Sequence, residues 1–463
     1  MVEGNLARNF GWTDLEAWYP GTNPCPGPAR ASLSLKPITR HFEAGTSNAI
    51  EGPVSESYIQ KLFAERIGGE TYGKSTAIYK FEKIKRAKRQ AIADFPDRSL
   101  VDFGIGENDE MAPVPVREAL KLAVDAPANR GYADNGILPY QEAAARYMDR
   151  NFGVKLDPAT QILHTIGSKP AYALLPAVFI NPGDVTLFTV PGYPVAGTWT
   201  KYLGGIVHNL PLLPENDFFP DLDGIPPEVL AKAKILVINY PNSPSGKTAT
   251  REFYEKVVVF AKKHGVVVIQ DAAHLPFTHG AKPLSFLEVP GAIDVGVEVH
   301  SMSKGWHMIG WRLGFVAGNS LVVKALGDVK DNSDSGQFKA IQMAAAAALD
   351  DDSLWRNAQQ KYQRRQEMLV ERLRALGFDA TMPQGTYFLY AKAPKGIVNG
   401  PVFEHAEAAS QWFIREKSIV TVPFDDIGPH LRFSVTYEAA TVADEKAYMD
   451  VFSERLAGVQ FQF

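Results

Sequence analysis

The stretch Ser301-Met302-Ser303-Lys304, continued by Gly310-Trp311-Arg312-Leu313-Gly314, decides how this chain is interpreted. It directly follows the strand-like run Val295 to Val299. Small hydroxyl neighbours leave space for a lysine amine to form a Schiff base with an aldehyde cofactor. The hydroxyls of Ser301 and Ser303 and the guanidinium of Arg312 suit a phosphate. Ser-x-Ser-Lys alone also occurs by chance on surfaces, but the Gly-x-Arg-x-Gly continuation favours Lys304 as a nucleophile.

Outward from this motif, short β-branched runs alternate with helical stretches, which predicts an α/β fold with a mostly parallel central sheet covered by helices. A long, charged, periodic segment then leads to a smaller α+β part. We expect three regions: an N-terminal arm at 1–75, a large domain at 76–345 whose first ~30 residues could join the small domain, and the small domain at 346–463. The predicted strands are Val185 to Val190, Ile235 to Asn239, Val266 to Gln270 and Val295 to Val299, and the predicted helices are Glu142 to Phe152, Arg251 to His264 and Asp351 to Leu376.

Asp271 follows the strand Val266 to Gln270 and precedes Lys304 by 33 residues. Ligands of open α/β sheets bind beyond the carboxyl ends of the strands, where this carboxylate would project. A carboxylate held against a pyridine nitrogen keeps that nitrogen protonated and makes the ring an electron sink. The alternative for Asp271 is a helix cap.

Three further strand exits carry candidate ligand contacts. Ser168-Lys169-Pro170 opens a helix, with proline expected at its first position, and so offers free amides to a phosphate. The turn-rich loop from Pro241 to Gly246 presents Asn242 and Ser243. Tyr193, in Pro191-Gly192-Tyr193-Pro194, could stack on a flat heterocycle or pack at the edge of the core.

Arg432 lies in the alternating strand His430 to Val435. An arginine among apolar neighbours is costly unless it meets an anion, and a guanidinium binds a carboxylate through two hydrogen bonds. We therefore expect a carboxylate ligand at Arg432.

Composition narrows the function classes. The 463 residues include 48 Lys and Arg against 52 Asp and Glu, a formal charge of −4, which argues against a nucleic-acid partner. The single cysteine excludes an intramolecular disulfide and a Cys-based metal site, and we expect no metal. The sequence has no run of membrane-spanning length and no secretory signal, so we expect a cytoplasmic protein without a membrane partner. Residues 1–75 are a poorly ordered extension, an arm on a partner subunit or a leftover targeting segment.

Together these motifs resemble the class I/II aminotransferases, the fold type I enzymes that use pyridoxal 5'-phosphate, over about residues 76–460. The resemblance implies a homodimer with shared active sites that acts on small-molecule amino acids and 2-oxo acids. It implies that Lys304 is the Schiff-base lysine, that Asp271 pairs with the pyridine nitrogen and that Tyr193 stacks on the ring. It further implies phosphate contacts at Ser168, Lys169, Ser301 and Arg312, a phosphate contact in the neighbouring subunit at Tyr132, and substrate α-carboxylate contacts at Gly106 and Arg432.

Within that family the chain is most similar to the LL-diaminopimelate aminotransferase group, through segments such as Tyr79 to Ile84, Gly104 to Glu107, Pro214 to Leu222 and Phe286 to Ala292. This implies amino transfer between LL-2,6-diaminopimelate and 2-oxoglutarate in lysine biosynthesis. The alternatives are an aspartate or aromatic aminotransferase, or a carbon–sulfur lyase on the same fold. A transcriptional regulator on this fold is disfavoured, because residues 1–75 show no DNA-binding pattern.

Three positions depart from the family pattern. Ser243 stands where an asparagine is usual, so either Ser243 or Asn242 would hold the cofactor's phenolic oxygen. His274 replaces an expected tyrosine and could donate to the same oxygen, with a protonation range near neutral pH. His307 occupies a position that is usually small. We therefore expect a cofactor pocket that is altered on one side.

Overall fold

The structure is a computed structural model that describes residues 58–74 and 80–463. The chain divides into two units, Met1–Ile59 and Gln60–Phe463, and the site lies in the second. Most of the predicted arm at 1–75 is outside the described residues. The strands are β1 Val101–Asp102, β2 Ile162–Thr165, β3 Val185–Val190, β4 Ile206–Pro211, β5 Ala233–Asn239, β6 Val267–Asp271, β7 Gly296–Ser301, β8 Gly314–Gly318, β9 Phe388–Lys392, β10 Gly396–Ile397, β11 Ile419–Val420, β12 Val422–Phe424, β13 His430–Ser434 and β14 Phe461–Gln462.

Helices occupy both the sheet-covering layers and the C-terminal part. Short 3-10 turns supplement them, among them Leu275–Phe277 directly after the Asp271 strand. The helices are α1 Lys80–Asp94, α2 Val114–Val124, α3 Leu138–Phe152, α4 Ser168–Phe179, α5 Val195–Tyr202, α6 Pro227–Leu230, α7 Arg251–His264, α8 Ala292–Val295, α9 Met302–Gly305, α10 Ser320–Lys330, α11 Lys339–Leu349, α12 Asp352–Ala375, α13 Ala406–Lys417 and α14 Val442–Arg455.

A seven-stranded sheet with the order β2-β8-β7-β6-β5-β3-β4 forms the centre of the fold. Only β8 runs against its neighbours β2 and β7, whereas the other pairs are parallel. Its strands are continuous apolar runs because helices bury both faces. The predicted α/β fold with a mostly parallel sheet is confirmed.

The two faces of this sheet pack against separate groups of helices. On one face Tyr140 of α3 and Tyr254 of α7 contact the apolar side chains of the strands. On the other face Tyr172 and Leu175 of α4 and Leu326 of α10 fill the space. This sandwich fixes the carboxyl ends of β5, β6 and β7 along one edge, and the candidate site lies there.

The C-terminal part has its own antiparallel sheet, β12-β13-β9, packed on α12 and α14. Phe103, far earlier in the chain, is fully buried in that core. Helix α1 likewise packs through Ile84, Ala87 and Ala91 against Ile414 of α13. The domain division at residues 345 and 346 stays a prediction. Within the described residues, none of the helices combines the length and apolar character that a membrane crossing requires.

Candidate active site

The carboxyl ends of two neighbouring strands bring Asp271 and Lys304 into one site. Strand β6 ends at Asp271, and β7 ends at Ser301, which caps the short helix α9 that carries Lys304. Asp271 pairs with Val299 across the parallel ladder, two residues before that cap. The positive charge of Lys304 acts directly on the Asp271 carboxylate. The two residues that the sequence singled out as catalytic are therefore close together.

Asp271 is a buried carboxylate with an elevated proton affinity. Burial raises the pKa of Asp271 to about 6, against opposing effects of the Ala273 amide, the Lys304 charge and the Tyr172 hydroxyl. The Ala273 amide donates to Oδ1 at 3.0 Å. Asp271 is not a helix cap, since the following turn is capped by His274. A positively charged partner would hold the carboxylate ionised.

Lys304 is held by a loop from the N-terminal side of the chain. Its Nζ donates to the carbonyl oxygen of Gly106 at 2.9 Å, and the Tyr387 hydroxyl donates to the same oxygen at 2.7 Å. The Asn108 side-chain amide donates to the Lys304 carbonyl at 2.7 Å. Gly106 was predicted from sequence, whereas Asn108 and Tyr387 were not. Asn108 stands only two residues beyond Gly106, but nothing local in the sequence marks Tyr387.

Helix α4 begins two residues earlier than predicted. Its first residue is Ser168, and Pro170 is the third. The error arises because every first-turn amide lacks an intrahelical acceptor, so proline fits at several of these positions. The backbone amides of Ser168 and Lys169 consequently open the helix, as a phosphate site requires.

Arg312 lies against this helix start. Gly167, the residue before α4, has φ +83°, and a Cβ built there would lie 2.5 Å from Nη2 of Arg312. Arg312 itself has φ +57°, a strained backbone of the kind found at binding sites. Nearby, the Ser301 hydroxyl accepts from the Ser303 amide at 3.2 Å, and the buried Ser303 hydroxyl has no hydrogen-bond partner. These groups form a cradle that suits an anion.

The loop after β5 separates the roles of Asn242 and Ser243. The Asn242 side chain donates to the Pro191 carbonyl at 3.2 Å and accepts from the Ser245 amide and hydroxyl at 3.0 and 2.7 Å. Ser243 uses its backbone amide on Asn239, while its hydroxyl forms no hydrogen bond to a described residue. Ser243 is thus the better of the two candidates for a ligand contact.

Two tyrosines line the space in front of Asp271. The rings of Tyr172 and Tyr193 meet edge to face at 6.4 Å, and Tyr193 is 41% exposed. Tyr172 is buried, and burial together with the charge of Asp271 raises the pKa of its hydroxyl, which has no hydrogen-bond partner among the described residues. Sequence reasoning missed Tyr172, although it lies one helical turn beyond Ser168 on α4 and so faces the same side. Tyr193 is placed where a flat ring could stack.

Arg432 is a buried cation with no ion pair among the described residues. Its Nη2 donates to the Gly104 carbonyl at 3.2 Å, its guanidinium lies 4.0 Å from the centre of the Phe388 ring, and its Nε has no partner. Burial lowers the pKa of Arg432 to about 10. A buried unpaired charge is expensive, so this position calls for an anionic ligand.

His274 lies between these groups as a neutral side chain. Burial, together with the charges of Lys304 and Arg432, lowers the pKa of His274 well below its usual value. Its ring packs 5.2 Å from Tyr387, and Nδ1 has no hydrogen-bond partner. The expected titration of His274 near neutral pH is therefore wrong, because burial and the two nearby cations disfavour the charged imidazole.

Two other residues predicted from the sequence, His307 and Tyr132, lie at the edge of the candidate site. His307 has φ +54° and stacks on Tyr362 at 6.1 Å, and burial lowers its pKa. Tyr132 is 80% exposed. Sequence reasoning thus identified residues that the fold gathers, with Tyr132 outside the group.

A buried ionic cluster anchors the loop that carries Gly106 and Asn108. Arg365 of α12 is fully buried and donates to Glu445 at 2.8 Å and to Asp109 at 3.1 Å. Burial alone would raise the pKa of Asp109, but hydrogen bonds and charges from Lys361 and Arg365 hold it below its usual value. Sequence reasoning did not find this cluster, because Arg365 is 80 or more residues from both Glu445 and Asp109.

Comparison with known proteins agrees with this geometry. A family model described as aminotransferase class I and II matches residues 98–445. The LL-diaminopimelate aminotransferases of Methanococcus maripaludis and Methanocaldococcus jannaschii are 50% identical over 414 and 417 residues, covering 88% of this chain and 100% of each relative. The substrate-bound BacF structure from Bacillus subtilis aligns with a TM-score of 0.76 at 28% identity, over 87% of this chain and 98% of its own. The predicted family is confirmed: this chain belongs to the class I and II aminotransferases.

Proposed function

We propose that this protein transfers the amino group of LL-diaminopimelate to 2-oxoglutarate with pyridoxal 5'-phosphate as its cofactor. The observation that carries the proposal is the lysine amine of Lys304 beside the buried carboxylate of Asp271 and the unpaired guanidinium of Arg432. The substrate assignment is supported by the two relatives that carry the name LL-diaminopimelate aminotransferase at 50% identity.

The residues present fit this cofactor. The absence of a side chain at Gly167 lets the Arg312 guanidinium approach the start of α4, and the buried Ser303 hydroxyl lacks a partner that a phosphate would supply. The amides of Ser168 and Lys169 and the Ser301 hydroxyl complete the phosphate contacts. Asp271 would pair with the ring nitrogen, and Tyr193 would stack on the ring. Ser243, with Asn242 as the second candidate, and His274 would hold the phenolic oxygen.

Each residue then has a role that follows from its position. When bound, the cofactor accepts the negative charge that develops at the substrate Cα. Asp271 keeps the ring nitrogen protonated, and that positive charge in turn keeps the buried carboxylate ionised. Lys304 moves the proton from the substrate Cα, as a single positioned amine suits. Arg432 and the Gly106 backbone hold the α-carboxylate and so orient that proton toward Lys304.

The proposal includes a homodimer. Tyr132 is exposed and lies in the loop from Gly131 to Gly136. In a dimer with shared active sites this hydroxyl would reach the phosphate of the neighbouring subunit. Size-exclusion chromatography with light scattering tests the dimer. A fully active monomer would contradict it.

Donor profiling tests the substrate. Purified holoenzyme is assayed with LL-diaminopimelate, aspartate, glutamate and phenylalanine, each with 2-oxoglutarate, and the expected result is the highest kcat/KM for LL-diaminopimelate. Turnover of phenylalanine without turnover of diaminopimelate would instead assign an aromatic aminotransferase. Release of ammonia and pyruvate without an acceptor would assign a carbon–sulfur lyase.

A further inference from the structure

A second cation lies on the same face of the C-terminal sheet as Arg432. Lys80, the first residue of α1, places its ammonium 3.8 Å from the centre of the Phe424 ring. The Arg432 guanidinium lies 5.9 Å from the centre of the same ring. Phe424 and Arg432 belong to the adjacent strands β12 and β13. Two positive groups thus flank one aromatic ring beside the candidate site.

The surrounding face is aromatic and partly desolvated. Tyr390 stacks on His430 at 4.4 Å and meets Phe424 at 5.8 Å. The Tyr390 hydroxyl is buried without a hydrogen-bond partner. Tyr390 is the cross-strand partner of Arg432, so a buried hydroxyl that lacks a hydrogen-bond partner belongs to the same face as this cation.

Lys80 is itself unpaired, unlike its neighbour on the helix. It forms no ion pair or hydrogen bond with any described residue. Lys83, one turn further on, is bound to Glu407 at 2.8 Å. Burial and the charge of Arg432 lower the pKa of Lys80, while Asp426 and Asp425 act in the opposite direction. An anion bound between Lys80 and Arg432 would give each of these unpaired cations a partner of opposite charge.

We propose that Lys80 binds the distal carboxylate of a dicarboxylate substrate whose α-carboxylate is held by Arg432. The inference rests on the proposed function, in which LL-diaminopimelate and 2-oxoglutarate each carry two carboxylates. The same two cations would then hold the two carboxylates of LL-diaminopimelate and, in turn, those of 2-oxoglutarate. A monocarboxylate fills only the Arg432 position and leaves Lys80 unpaired, so Lys80 determines specificity for dicarboxylates.

The test compares two unreactive ligands of equal chain length, glutarate and valerate. Isothermal titration calorimetry on the holoenzyme measures both dissociation constants for the wild type, Lys80→Met, Lys80→Arg and Lys83→Met. We expect the preference for glutarate to fall at least about tenfold in Lys80→Met, the size of a lost charge-assisted hydrogen bond. Lys80→Arg keeps the charge and should retain most of the preference. Lys83→Met, which removes a charge from the same helix, should match the wild type.

Three outcomes would overturn the proposal: no glutarate preference in the wild type, an unchanged preference in Lys80→Met, or an equal fall in Lys83→Met. Thermal melting of each variant separates binding from folding, and Lys80→Gln replaces Lys80→Met if the latter does not fold. The ligands are not substrates, so the result is independent of donor profiling. A protein that prefers glutarate through Lys80 but does not turn over diaminopimelate refutes the proposed function alone.

Discussion

The amine of Lys304 and the carbonyl oxygen of Gly106 are joined by a hydrogen bond of 2.9 Å. The lysine side chain belongs to the edge of the large sheet, and the carbonyl belongs to a loop bound to the C-terminal part. Because the Tyr387 hydroxyl donates to the same oxygen, three separate stretches of the chain meet at one acceptor. The amine is thereby held next to the residues that would bind the substrate.

Replacing Lys304 by alanine should abolish both cofactor attachment and catalysis. The amine is the proposed nucleophile and proton carrier, so we expect turnover to fall by at least about a thousandfold, within the range for loss of general acid–base catalysis. The visible absorbance band of the bound cofactor should change with it. A variant that retains the band and full turnover would refute the role of Lys304.

Replacing Tyr387 by phenylalanine removes one of the two donors to the Gly106 oxygen. The loss of a single neutral hydrogen bond is worth about 1 kcal/mol, so kcat should fall roughly fivefold. Steady-state kinetics measure the change. Tyr140→Phe is the matched control, since the Tyr140 hydroxyl is buried without a partner and far from Lys304 along the chain. An equal loss in both variants would point to a general effect of the fold.

The contribution of Asp271 to the stability of the cofactor-free protein should fall as the pH rises between about 4 and 6. The pKa of Asp271 is raised to about 6 in the folded state, so the folded protein binds more protons than the unfolded one in this window. Stability contributed by the protonated carboxyl is complete below about pH 4 and is lost as the pH rises through 6. Urea unfolding of the cofactor-free wild type and Asp271→Asn should show a pH-dependent difference in that range. If the unfolding free energies of the wild type and Asp271→Asn changed in parallel with pH, the elevated pKa of Asp271 would be contradicted.

Gly167→Ala should weaken phosphate binding. A Cβ would meet the Arg312 guanidinium at 2.5 Å and would impose strain at φ +83°. We expect cofactor affinity to fall at least about tenfold, as one displaced charge-assisted contact implies. Titration of the cofactor into the cofactor-free protein measures it. Gly265→Ala has a similar φ of +66° with no atom within 4 Å, so it should lose stability but keep cofactor affinity.

Removing Arg365 should destabilise the whole protein. Arg365→Met removes the fully buried cation that joins Glu445 to Asp109, while Arg364 and Lys361 still pair with these carboxylates, so we expect a cost of about 2–3 kcal/mol. Denaturant unfolding gives the value. Arg372→Met on the same helix removes only an exposed pair with Asp450 and should cost less than about 1 kcal/mol. Similar losses of unfolding free energy in Arg365→Met and Arg372→Met would show that burial does not increase the contribution of the Arg365 cluster to stability.

The sequence predicted correctly those strands and strand ends that are determined by residues close together in the chain. The run from Val185 to Val190 is strand β3 as predicted, and Asp271 ends its strand, because apolar runs bounded by breakers leave little choice of structure. The start of α4 was displaced by two residues, since first-turn positions are nearly equivalent for proline. Tyr387, Asn108 and the Arg365 cluster were missed because their partners are distant in sequence. Their contacts can be identified only once the three-dimensional structure is known.

The Arg365 cluster has a mechanical consequence. Asp109 is bound to Arg365 of α12, and only two residues separate it from Gly106, whose oxygen accepts a hydrogen bond from the Lys304 amine. Because the segment from Gly106 to Asp109 is short, the position of α12 is coupled to the position of the Lys304 amine. The hydrogen bond between Lys304 and Gly106 therefore connects the central sheet to the C-terminal part.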